Sequence, residues 1–375
     1  VFSAHVHNVF VGFHENTIFY SVPSMAFVRP EYAELATVGP GDEYGRNDTA
    51  KLGFYLVRVY ADRHEVLPVR TYGAGKLAAG FPQVEPYQLV DRPTKMLGVT
   101  LRRGWGRRVE LAADGLDEFT RKEAYRDWLL WALWELGVTG LRVPFADLTY
   151  ADVRQRLADF VRLGFMFTVY SLGVPDAATM ATMGANGRLL QNWELIFPEH
   201  ALAQVKEAVK RARAVFSGQL FVAPVVPIKE DEEEHGRSFQ HFAAHGFSGR
   251  RAGINESWQA VIDSLPTDIG LTFRVSPWDE PAATLHEIDQ QSNRAKLINL
   301  QLPRLDEGVR FNDDHKLQSF IVDAYHAGRT MANTIIFIDT FVDSDRGYYP
   351  RNGLLDRRFN PRPAFYALKR AALGK

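Results

Sequence analysis

Leu189-Leu190-Gln191-Asn192-Trp193-Glu194, a stretch from Glu199 to Phe216, and Leu220-Phe221-Val222-Ala223-Pro224-Val225-Val226 together decide the fold. The outer two segments are short and rich in apolar, β-branched and aromatic residues, as buried strands are. Between them Leu202, Val205, Val209 and Ala212 recur at helical spacing and give one apolar face. A strand, a helix and a second strand in this order form a unit whose strands run parallel.

The alternation extends in both directions. Strands are predicted at 96–101, 139–145, 165–171, 189–194, 220–226, 270–276, 296–302 and 334–339. Helical segments are predicted at 121–136, 150–163, 199–216, 254–265, 282–293, 314–327 and 363–372. Eight strands, each followed by a helix or a long connection, meet the requirement of a closed barrel. An open doubly wound sheet could hold as many, but no glycine-rich phosphate turn follows the first strand. The expected class is α/β: a (β/α)8 TIM barrel over residues 94–375, preceded by a small β-rich segment.

That segment, residues 1–75, carries short strand patterns at 9–11, 17–22, 24–28, 53–60 and 66–71, broken by turns such as Gly39-Pro40-Gly41-Asp42. Residues 76–93 mix Gly, Ala, Pro and polar side chains without periodicity and read as a linker. The chain opens on Val1-Phe2-Ser3-Ala4-His5-Val6-His7, a strand running into a polar turn, and is expected to be a fragment. Its cellular location is left unassigned.

His5 and His7 are the sharpest chemical signal near the start. Neutral imidazole is a common ligand for divalent metals, and residues two apart at a strand end can face one site. Ser3-Ala4-His5-Val6-His7-Asn8 resembles the last metal-binding motif of the calcineurin-like metallophosphoesterases, with Ala4 where that family has glycine. The strand at 17–22, Pro23-Ser24, and Gly53-Phe54-Tyr55-Leu56-Val57-Arg58-Val59 follow in matching order. The resemblance implies hydrolysis of a small-molecule phosphoester by the intact parent protein, with two divalent metal ions (Mn, Fe or Zn) and His5 and His7 as ligands. The family's other metal motifs do not occur here, so this chain is expected to lack a complete two-metal site.

In a barrel of this kind the chemistry gathers at the C-terminal strand ends. The polar residues there are Arg102, Arg142, Asp147, Asn192, Glu194, Asp279, Glu280, Gln301, Asp339, Asp343 and Asp345. Trp278 lies near a strand end, where an indole can stack on a sugar face. Asn192-Trp193-Glu194 and Arg142 resemble the fourth-strand acid/base segment and the second-strand arginine of the clan A glycoside hydrolases. The closing run, from Asp339-Thr340-Phe341 to Asn360-Pro361-Arg362-Pro363-Ala364, also resembles the end of many such barrels. The resemblance implies a hydrolase acting on carbohydrate, with Glu194 and Asp339 as catalytic residues. Arg142, Asn192, Trp278 and Gln301 are then expected to bind substrate.

One departure is serious. The seventh strand carries Gln301 where that clan has its second carboxylate, and an amide cannot act as nucleophile. Asp339, Glu307 or Asp306 would have to take over, or the barrel binds sugar without cleaving it. The plainer role for Glu194 and Arg142 is an ion pair with each other. The acidic run from Lys229 to His235 reads as a solvated loop, and the metal reading of His241 and His245, four residues apart, is weak.

Composition narrows the partners. Forty-four Lys and Arg against 45 Asp and Glu leave a net charge of -1, with no electrostatic case for nucleic acid or an anionic membrane. No apolar run approaches the roughly 20 residues of a membrane span. The absence of cysteine excludes disulfides, thiolate chemistry and cysteine-based zinc sites.

Overall fold

The computed structural model describes residues 1–4, 8–25, 51–70, 97–102, 104–106, 108–110, 119–120, 123–125, 127–226, 244–250, 254–303, 314–343, 352–356 and 358–374. The chain divides into two compact units. One joins Val1–Pro93, Arg103–Val138 and Leu354–Lys375; the other joins Thr94–Arg102 and Thr139–Gly353. The sequence reading draws a single division instead, at the 76–93 linker, which lies outside the described residues.

The second unit is the barrel. Its strands are Leu97–Thr100, Gly140–Pro144, Met166–Leu172, Leu190–Phe197, Gln219–Pro224, Gly270–Val275, Lys296–Gln301 and Thr334–Asp339, in barrel order one to eight. Each pairs in parallel with the next, strand five pairs with strand six through Phe221 and Gly270, and strand eight returns to strand one. The ring closes, which leaves none of the eight as an unpaired edge. Helices Ala151–Arg162, Ala177–Asn186, Val205–Val215, Glu256–Ser264, Pro281–Gln291 and Asp314–Gly328 connect strands within this unit. Among the described residues no helix is long and apolar enough to cross a membrane.

The barrel interior is filled in layers. Phe221, Leu297 and Phe337 form a buried cluster with Ala295 and Ile335 packed against it. The two phenyl rings occupy space that glycines leave open. A Cβ on Gly98 would lie 2.4 Å from the Phe337 ring and 2.9 Å from the Gly140 carbonyl, and one on Gly270 would lie 2.5 Å from the Phe221 ring. Gly98→Ala should therefore overpack the interior and cost about 1–3 kcal/mol, read as a lowered urea midpoint at unchanged m-value. Adding Phe337→Leu should restore part of the loss, because the two sites share one volume.

Two residues further along, the same inner face turns polar on strands one to four. Thr100, Arg142, Thr168 and Asn192 stand side by side across strands one to four, with Tyr170 and Glu194 the next inward pair. Apolar rings thus plug the lower barrel, and the charged groups are confined to the end toward which the parallel strands run.

The first unit is built differently. Phe2–Ser3, Thr17–Ser21 and Val11–His14 form a three-stranded sheet, and Gly53–Val59 pairs with His64–Arg70 as a separate hairpin. Val9, Leu52, Trp128 and Trp131 make its core cluster, with Tyr55 and Phe359 against it. Trp128 and Trp131 thus serve packing. The predicted helix 121–136 begins only at Trp128, and Glu123–Tyr125 is instead a short strand paired with Arg108–Glu110. The reason lies at Asp127. Its N–H donates to Val9 and its carboxylate takes the Val11 N–H at 2.6 Å, so the helix cannot propagate back through it.

Candidate functional site

Arg142 is the centre of the polar layer. Its side chain is 1% exposed, and its Nε and Nη2 donate to one oxygen of Glu194, Oε2, at 2.8 and 2.7 Å. The carboxylate is 0% exposed. Nη2 also donates to His245 Nε2 at 2.6 Å, Nη1 reaches Thr100 at 3.5 Å, and the guanidinium lies 4.1 Å over the Tyr170 ring. Burial pulls the Arg142 pKa down, but Glu194, Tyr170 and Asp339 outweigh it and hold it above its ordinary value, so the cation persists.

The second charged pair is Arg102 and Asp339, with Nη2 at 2.5 and 2.6 Å from the two carboxylate oxygens. Arg102 Nε also donates to Thr340, and the Asp339–Thr340 peptide is cis. Tyr170 ties the pairs together. Its phenol is pushed up by burial, drawn down by Arg142 and Arg102, and pushed up again by Asp339 and Glu194. Carboxylates from strands four and eight, opposite one another in the ring, thus surround one phenol.

His245 comes from the segment after strand five, where Val225 and His245 form an isolated bridge. Its ring stacks on Tyr170 with centroids 6.2 Å apart. A guanidinium can only donate, so the contact with Arg142 makes Nε2 an acceptor and puts the ring proton on Nδ1. Asn299 Nδ2 lies 3.4 Å from the same nitrogen. Glu194 Oε1 lies 3.6 Å away, lone pair facing lone pair, and has no hydrogen-bond partner among the described residues.

The structure therefore brings Glu194, Arg142 and Asp339 together. Asn192 sits one step deeper than Glu194 on the same strand face, its amide committed to Thr168 Oγ1 at 2.8 Å. Gln301 is half-buried opposite Asp339 in the register of strands seven and eight. Trp278, 37% exposed after strand six, lies under Lys316 Nζ at 5.5 Å. His5, His7, His241, Asp306, Glu307 and Asp345 lie outside the described residues. Among the described residues no group of three or more His, Asp or Glu side chains could hold a metal ion, so the two-metal site implied by the phosphoesterase resemblance has no fitting ligand set there.

No family model and no curated protein matches the sequence. Solved structures do match. A family 39 glycoside hydrolase from Bacteroides cellulosilyticus WH2 is 11% identical at a TM-score of 0.47, covering 97% of this chain and 76% of its own. A Bifidobacterium dentium β-glucuronidase complexed with coumarin-3-O-glucuronide is 11% identical at 0.45, covering 86% and 49%. A family 5 xyloglucanase from Paenibacillus pabuli is 9% identical at 0.42, covering 75% and 98%. Likeness at this level says nothing about the chemistry of this barrel.

Proposed function

We propose that the barrel is a carbohydrate-acting hydrolase domain whose site is the polar layer around Arg142. One observation carries the reading: Arg142 grips a single oxygen of Glu194 and leaves the other, Oε1, buried without a donor among the described residues. Arginine–carboxylate pairs frequently use both oxygens in a fork, whereas both Arg142 N–H groups here converge on one oxygen. Here one oxygen is fixed and the other kept for a proton or a hydroxyl. Asp339, held by Arg102 on the opposite strand, is the second carboxylate the chemistry requires. Arg142 orients Glu194, Arg102 orients Asp339, and the Tyr170 phenol feels both carboxylates. Phosphoester hydrolysis by a metal pair finds no ligand set among the described residues.

The experiment is hydrolysis of a panel of aryl glycosides by the purified chain, with retention of fold checked by circular dichroism. Glu194→Gln keeps an acceptor for Arg142 and should lower turnover by about a hundredfold or more, as loss of an acid/base carboxylate does. Asp339→Asn should lower it comparably. Turnover of every substrate that is unchanged in both variants would overturn the assignment. The burial of Glu194 and the amide at Gln301 favour a second reading, sugar binding without cleavage. Binding of a neutral sugar with no turnover by the wild-type chain would establish it.

A further inference from the structure

Asn299 lies on the inner face of strand seven, 0% exposed, and its Oδ1 has no hydrogen-bond partner among the described residues. Glu194 Oε1, projecting from strand four, is in the same state. The two side chains meet at one point: His245 Nε2 is 3.4 Å from Asn299 Nδ2 and 3.6 Å from Glu194 Oε1. That nitrogen accepts from Arg142, so it offers neither oxygen a proton. Two buried acceptors from strands four and seven thus border one imidazole and lack donors among the described residues, a condition rare in folded proteins and expensive to keep.

We propose that Glu194 Oε1 and Asn299 Oδ1 are the acceptors for hydroxyl groups of an uncharged, polyhydroxylated ligand, with His245 as the positioning residue between them. The ligand class follows from charge and from donor count. Arg142 is matched by Glu194 and Arg102 by Asp339, so neither pair leaves a charge over for an ionic ligand. Arg274, buried beside Asn299 in the register of strands six and seven, is a further cation of this face, and the glucuronate titration reads its influence. Both vacant groups accept, so the ligand must donate, which a hydroxyl does and a phosphate or carboxylate oxygen does not. Exposure marks the way in: Asn299 and Glu194 are wholly buried, His245 is 12% exposed, and Tyr170 and Gln301 are half-buried further along their strands. The inference rests on the carbohydrate reading and adds its recognition element.

Asn299→Leu tests it, with Asn299→Val in reserve should the first variant not fold. Each is measured by titration calorimetry against glucose, galactose, xylose and glucuronate, and by thermal unfolding. The wild-type chain should bind at least one of the neutral sugars and bind glucuronate no more tightly. Asn299→Leu should weaken the neutral sugar about tenfold, the loss of one good hydrogen bond. Its Tm should stay level or rise, because the variant removes an acceptor that has no partner among the described residues. Unchanged affinity would mean that the pair holds only an ordered water, and loss of Tm together with affinity would mean that Asn299 is structural. Either outcome, or a preference for glucuronate, overturns the inference. Sugar bound but not cleaved sinks the hydrolase reading and leaves this one standing. Aryl glycosides cleaved with an unchanged KM in Asn299→Leu do the reverse, and a wild-type chain that neither binds a neutral sugar nor cleaves an aryl glycoside sinks both.

Discussion

Arg142→Leu should destabilise the barrel by about 3–5 kcal/mol, because it strands the Glu194 carboxylate, 0% exposed, without its counter-ion. The loss is large for a protein whose whole stability is of order 5–15 kcal/mol. Urea unfolding followed by far-UV circular dichroism measures it, and the midpoint should fall with the slope unchanged. The companion variant is the more telling one. Replacing both members, Arg142→Leu with Glu194→Leu, removes the charges together and should recover most of the loss, since apolar residues of similar size commonly replace a buried pair at little or no cost. A double variant that is stable and inactive would show that the pair is kept for chemistry. A double variant as unstable as the single one would show that the barrel needs the ions themselves.

Glu135→Gln should cost the first unit about 3–5 kcal/mol, and its effect should depend on pH. Glu135 is 2% exposed, with Oε2 at 2.6 Å from Arg70 Nε and Oε1 at 2.9 Å from Lys369 Nζ. Arg70 is itself 3% exposed and lies 4.9 Å over the Trp131 ring, so it cannot turn to water when the carboxylate is lost. Burial alone would raise the Glu135 pKa, but Arg70 and Lys369 prevail and hold it below the ordinary value of 4.5. The folded form thus resists a proton that the unfolded chain accepts, and the unfolded state binds more protons as pH falls through this region. The stabilisation is therefore complete above pH 4.5 and declines as the medium is acidified below it. Unfolding of the wild-type chain between pH 7 and 3 should show that decline, and Glu135→Gln should flatten it. Equal slopes in the two proteins would refute the linkage.

Much of the barrel was legible because its strands are buried on both faces and so appear as continuous apolar runs, Thr334–Asp339 being the plainest. Glu194, Arg142 and Asp339 were legible for a related reason: a charge at the end of such a run has nowhere to go but the mouth. The helix Ala177–Asn186 was missed because only Met180 and Met183 are buried on it, too few for a periodic stripe, though Pro175-Asp176 announces its start and Asp176 caps the Thr179 N–H at 2.7 Å. His245 could not be placed from sequence, since it reaches the site from an insertion whose path no periodicity describes. Asn299 was hidden by its neighbour: attention to the amide at Gln301, where a carboxylate was wanted, passed over the one two residues deeper on the same face. The helix 121–136 was drawn too long because helical spacing alone cannot register a tertiary anchor such as Asp127.

The Arg70–Glu135–Lys369 triad also bears on how the chain is made. Lys369 and Glu135 are 234 residues apart, and nearly the whole barrel is threaded between them. Synthesis runs from the N-terminus, so the ribosome releases every strand of the barrel before the helix Pro363–Ala372 that carries Lys369. During that interval Glu135 has at most one of its two cations, and the unit begun first is the one completed last. A chain truncated after Gly353 should accordingly hold a barrel resistant to protease while residues 8–25 and 51–70 are still digested, and restoring the segment through Lys375 should close that window.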